Sequence, residues 1–138
     1  MNQETGIIID STVLNSYKNG DACARKLILD AVDGDINISV SAVSIMNIWS
    51  RDTFDRKSEI GFTGIFSFLK IISLDGDVAR YAGGSLREYI ETDSLVGVEQ
   101  AVVAAHSVLM GKDIVTNEPD RYVPVSYTHL TLPTILLV

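Results

Sequence analysis

A chain of 138 residues has the length of one compact domain, and 46% apolar with 21% charged residues is the balance of a chain that buries a core, which excludes a disordered polymer. The formal net charge of −7 excludes a broad basic surface that would grip nucleic acid through its phosphates, but not an acidic site whose bound divalent metal meets the phosphate instead. One cysteine, Cys23, excludes an internal disulfide or a cysteine-based zinc site, and no stretch reaches the 18 or so apolar residues of a membrane span. The N-terminal MNQETGIIID carries no basic region before its apolar run, so the chain reads as cytoplasmic.

Gly6 to Asp10 is a short β-branched run ending in an acid, and its unbroken apolar character predicts a central parallel strand buried on both faces. Ser11 to Lys18 turns as a helix before Asn19 and Gly20 stop it. From Asp21, a plausible N-cap, Ala24, Leu27, Ile28 and Ala31 recur at helical spacing. Asp33, Gly34 and Asp35 make a turn, Ile36 to Val40 reads as the second strand, and Ser41 caps a helix carrying Val43, Met46 and Trp49. Arg51, Asp52, Asp55, Arg56 and Lys57 fall on the solvated end of that helix.

Phe62, Ile65, Phe66 and Leu69 mark a short amphipathic helix, and Ile71, Ile72 and Leu74 a third strand. Asp75 or Asp77 caps the next helix, where Val78, Ala82, Leu86 and Tyr89 share a face. The Gly83-Gly84 pair weakens that helix by about 1 kcal/mol per glycine, which close packing against a neighbour would explain. Val98, Ala101, Val102, Ala105 and Leu109 predict a helix stopped by Gly111, and Lys112 to Thr116 returns as a strand. Alternating strands and helices with short links imply right-handed crossovers and an α/β architecture of three layers, with a parallel sheet between helices on both faces. There is no internal repeat. The tail from Ser126 to Val138 contains no Asp, Glu, Lys or Arg. Two readings stay open for it: a last edge strand, or a non-native end, since it resembles a translated adaptor peptide found at broken ends of assembled environmental sequences.

In open parallel sheets, ligands bind outside the C-terminal strand ends, where strand order reverses. Asp10 ends the first strand and Glu118 lies just past the KDIVT strand, so adjacency of those strands would bring the two acids together. Either could instead be a turn or helix-cap acid. His106 reads as packed or exposed rather than catalytic, because no Ser or Cys nucleophile with an orienting third group accompanies it. Cys23 reads as a small core residue, and Trp49, Phe62, Phe66 and Phe68 as core or interface aromatics. Arg51, Arg56, Lys57 and Arg87 could touch phosphates, although a solvated face is the simpler reading. Neither glycine-rich phosphate loop, GxGxxG or GxxxxGK, is present.

Asp10-Ser11-Thr12 after a buried strand resembles the opening of PIN domains, the nuclease fold of VapC-type toxins. Ser41, Ser44 and Asn47 match that family's second element, which ordinarily ends in Glu. Leu74-Asp75 with Ala79, Leu86 and Arg87 is similar to its linking helix. Gln100 to Ala105 falls where the family carries Asp followed by small and apolar residues. Thr116-Asn117-Glu118 with Asp120, Arg121 and Tyr122 resembles its Thr-x-Asp strand end and following Asp-Phe. The resemblance spans residues 6–125 in order, taken as a PIN-like domain over 1–125 with the tail 126–138 outside it. It departs at the acids: Asn47 stands for Glu, Gln100 for Asp and Glu118 for Asp, leaving Asp10 intact.

The resemblance implies a Mg²⁺- or Mn²⁺-dependent endoribonuclease of weakened metal affinity, with an RNA substrate, a small antitoxin partner and a homodimer. Asp10 would be the central metal ligand and Glu118 the second. Glu99 or Asp120 would complete the set, Ser11 would support it, and Asn47 and Gln100 would position water or phosphate. Glu99 is the immediate neighbour of Gln100 and points about 100° away on a regular helix, so it reaches the site only through an irregular first turn or a side chain that bends inward. The competing reading is a PIN scaffold that binds partners without catalysis. A phosphoacceptor receiver with Asp75 as acceptor ranks below both, because Lys112 begins its strand rather than ending it.

Overall fold

Ile8 and Ile9 are both fully buried, on opposite faces of strand β1 (Gly6–Ile9), which explains why this run shows no polar alternation. Ile9 packs among Val13, Leu14, Ile28 and Phe62, and Ile8 among Val103, Ala104, Ile114 and Tyr122. The computed structural model describes residues 6–89, 97–122 and 134–136.

After β1 come α1 (Ser11–Lys18), α2 (Ala22–Val32), β2 (Asn37–Ser41), α3 (Ala42–Trp49), α4 (Arg56–Phe66), β3 (Lys70–Ile72), α5 (Gly76–Tyr89), α6 (Val98–Met110) and β4 (Asp113–Thr116). A 3-10 turn (Pro119–Arg121) and β5 (Thr134–Leu136) complete the series. The strands lie in the order β3-β2-β1-β4-β5, all neighbours parallel. Helices α1, α2 and α4 cover one face, α5 and α6 the other, and α3 contributes Ile48 to the first core and Val43 to the α5–α6 packing. This is the three-layer α/β arrangement expected from the alternation of elements. The order 2-1-3-4-5 of a receiver-type sheet is not the one observed, and Asp75 caps α5 by accepting from Val78 N at 2.9 Å.

The local stop and start signals act as expected. Asp21 Oδ2 accepts from Ala24 N at 2.9 Å and Ser41 Oγ from Val43 N at 3.1 Å, while Gly111 ends α6 in the left-handed region at φ +66°. Helix α4 begins earlier than the apolar spacing predicts, because Asp55 caps it through Ser58 N and Oγ, both at 2.8 Å. Arg56 and Lys57 therefore open α4 rather than closing α3.

Three expectations are corrected. Cys23 is exposed, because the buried stripe of α2 is Ala24, Ile28 and Ala31, one residue further round the helix. Val98 and Leu109 are exposed, leaving Ala101, Val102 and Ala105 to meet α5. Close packing among the described residues does not explain Gly83 and Gly84, since a Cβ at either would have none of them within 4 Å. Of the aromatics, Trp49 stacks on Phe66 at 6.0 Å between centroids and Phe62 is buried, while Phe68 is exposed. Of the tail, Thr134–Leu136 pair parallel with β4 at the sheet edge; residues 126–133 and 137–138 lie outside the described residues. Among the described residues no helix is long and apolar enough to cross a membrane.

Candidate functional site

The chain winds outward from β1 through β2 to β3, then resumes on the other side of β1 with β4. The switch point is therefore the crevice past the C-terminal ends of β1 and β4, where such sheets place their ligands. Asp10 stands at that end of β1, only 1% exposed, as the N-cap of α1. Its Oδ1 accepts from Thr12 Oγ1 at 2.5 Å, Thr12 N at 3.0 Å and Val13 N at 3.4 Å. Its Oδ2 accepts from Thr116 Oγ1 at 2.6 Å and from the Tyr122 hydroxyl at 2.7 Å.

Beside Ser11 and Thr12, the residues that follow Asp10, lies a polar cavity of about 400 Å³. Glu99 and Glu118 line it with Arg51 and Arg121, the amides of Asn47, Gln100 and Asn117, and the hydroxyls of Ser11 and Thr12. Glu99, at the start of α6, takes Ser11 N on Oε2 at 2.9 Å and Ser11 Oγ on Oε1 at 2.7 Å. Asn47 Nδ2 adds a third donor to Glu99 Oε1 at 3.2 Å, while Asn47 Oδ1 accepts from Arg51 Nη2 at 3.1 Å. Asn117 is held over α1 by its N–H on Thr12 Oγ1 at 3.0 Å and by its side-chain amide on Ser16.

Each anticipated residue has a definite place. Glu99 bends inward to the pocket, although its neighbour holds the position at which the resemblance carries an acid. Gln100 also reaches the pocket wall, but its Oε1 is engaged by Gly97 N at 3.0 Å, capping its own helix. Glu118 lines the pocket, exposed, and turns to Arg121 Nε at 2.8 Å. Asp10 is not part of the pocket lining, although Thr12, which it accepts from, is. Asp120 is exposed on the 3-10 turn and is not part of the lining. His106 is packed, its Nε2 2.9 Å from Ser41 Oγ. Burial lowers its pKa, with Asp75 opposing.

Sequence reasoning assigned no role to Tyr122 and noted Thr116 only as part of a strand-end pattern, yet these two side chains satisfy one oxygen of Asp10. Tyr122 is wholly buried. Burial first, and then the Asp10 charge, raise its pKa well above 10, so the phenol keeps its proton. The available signal was a hydroxyl-bearing aromatic just past a strand that ends beside Asp10.

Mg²⁺ demands oxygen ligands at about 2.0 to 2.1 Å in near-octahedral geometry. The carboxylate of Asp10, with roughly four lone-pair sites, already faces Thr12, Val13, Thr116 and Tyr122 donors. The Glu99 oxygens are taken by Ser11 and Asn47, and Glu118 is paired with Arg121. Among the described residues, no group of three or more His, Cys, Asp or Glu could hold a metal ion. As arranged, these side chains do not fit a divalent cation.

No protein-family model matches the chain, and no curated protein matches it. Solved structures do match its fold. A DNA-bound VapBC from Salmonella typhimurium is similar at a TM-score of 0.69 and 18% identity, covering 96% of each chain. VapBC2 from Rickettsia felis, bound to a promoter DNA fragment, is similar at 0.70 and 16% identity, over 94% of this chain and 97% of that one. A toxin-antitoxin complex from Klebsiella pneumoniae is similar at 0.66 and 15% identity, over 86% of this chain and 91% of that one. The chain thus has the PIN-like fold that its sequence resembles, a parallel central sheet flanked by helices.

Proposed function

We propose that the chain is a VapC-like, PIN-fold protein that acts by binding and does not itself cut RNA. The observation that carries this reading is the carboxylate of Asp10, buried and already accepting from Thr12, Thr116 and Tyr122. The amides of Asn47 and Gln100 strengthen it, because an amide keeps an oxygen but removes the charge that offsets desolvation of a cation. A small antitoxin-like protein and a second copy are the partners proposed, supported by the resemblance and by the toxin-antitoxin complexes among the structures of similar fold. RNA would meet the pocket as a ligand of Arg51, Arg121 and the amides.

One observation favours a second reading, a weakened Mg²⁺-dependent endoribonuclease: Glu99 and Glu118 line the same cavity. Titration of Mn²⁺ into the protein and its Asp10→Asn variant, with cleavage of a mixed RNA pool assayed alongside, separates the two. The binding reading expects neither Mn²⁺ binding nor cleavage from the folded wild-type protein. Mn²⁺ binding and cleavage that both vanish in Asp10→Asn would overturn it in favour of the nuclease.

A further inference from the structure

The disagreement between the pocket and a divalent ion has an identifiable source. Tyr122 packs its ring against Ile8, Val103, Ala104 and Ile114, on the α6 side of the sheet. The sheet strands and α6 therefore aim its hydroxyl, which meets Asp10 Oδ2 at 2.7 Å.

We infer that Tyr122 is a built-in stopper: its O–H occupies a place at Asp10 Oδ2 that a divalent cation would need, and so keeps Asp10 from serving as a metal ligand. This inference rests on the binding reading proposed above. A hydroxyl offers Asp10 a short, charge-assisted hydrogen bond without the desolvation that a buried cation demands. A cation binding Oδ2 would have to displace the hydroxyl donors already there, and the core holds the ring that carries one of them. Thr116 Oγ1 is the other donor to Oδ2, at 2.6 Å.

Tyr122→Phe keeps the ring and its packing and removes only the O–H. Mn²⁺ binding is read by electron paramagnetic resonance on the wild type, Tyr122→Phe and Tyr122→Phe/Asp10→Asn, each first shown to be folded by circular dichroism. The expected result is a gain of about tenfold or more in Mn²⁺ affinity in Tyr122→Phe, the scale on which neighbours of a metal site move affinity, with the gain lost in the double variant. A folded Tyr122→Phe that binds no more Mn²⁺ than the wild type overturns the inference. Wild-type protein supplies a second test that needs no substitution. The hydroxyl proton of Tyr122, buried and hydrogen-bonded, is expected to give a slowly exchanging NMR signal unmoved by Mg²⁺, and its disappearance on adding Mg²⁺ overturns the stopper. RNA cleavage judges the proposed function separately: a wild type that neither binds nor cuts, beside a Tyr122→Phe that gains no metal, leaves that reading standing and removes only the stopper.

Discussion

Glu99, at the start of α6, receives both the backbone N–H and the hydroxyl of Ser11, at 2.9 and 2.7 Å, joining the first turns of two helices that lie 88 residues apart in sequence. The pair is buried. Truncating the carboxylate leaves three donors, Ser11 N, Ser11 Oγ and Asn47 Nδ2, without this partner. Glu99→Ala is expected to cost about 2 kcal/mol, within the penalty for stranding buried polar groups, read as a lower urea midpoint at unchanged m-value. A double-mutant cycle with Ser11→Ala is expected to show coupling, since each substitution removes the same contact.

Gly83 sits mid-helix in α5, exposed, and a Cβ there would have nothing within 4 Å. Its φ is not in the left-handed region. Gly83→Ala is therefore expected to stabilise the protein by about 0.5 to 1 kcal/mol, the helix-interior difference between the two residues, measured as a raised urea midpoint. A loss of stability would mean that another chain packs on this face.

Gly6 makes the opposite case. A Cβ built there would stand 2.6 Å from the carbonyl oxygen of Asn37, and that atom belongs to the backbone of β2, paired with β1. Neither strand can give way without disturbing the ladder beside Asp10. Gly6→Ala is expected to destabilise by about 1 to 3 kcal/mol, the range for overpacked sites, with amide exchange in β1 and β2 rising accordingly.

The histidine in the core predicts a pH dependence with a definite sign. Burial lowers the pKa of His106 below its ordinary 6.5, so the unfolded chain takes up this proton first as the pH falls. Stability therefore declines from about pH 6.5 downward until the lowered folded value is passed. His106→Gln is expected to flatten this part of the stability curve, followed by urea midpoints across the range. At the alkaline end, Tyr122 is held protonated above its usual 10, so its contribution fades as the pH rises above that value.

Most of the sheet and its helices were legible because their signals are local. The β-branched run ending at Asp10, the caps at Asp21, Ser41 and Asp75, and the stop at Gly111 each depend on atoms a few residues apart. What these signals omit shows in Cys23 and in the start of α4, where one residue's rotation or one extra cap moved the boundary.

The sequence by itself determined an α/β fold with an acid at the end of a buried strand and amides where its resemblance carries acids. Only the tertiary structure decided what those residues do. Parallel pairing of β1 with β4 brought Thr116 and Tyr122 to Asp10 from more than a hundred positions away. Helix packing gave Ser11 to Glu99 and left Gln100 to cap its own helix. The reason is physical: hydrophobic periodicity fixes which face of an element is buried, but a carboxylate's lone pairs are claimed by whichever donors the folded chain aims at them.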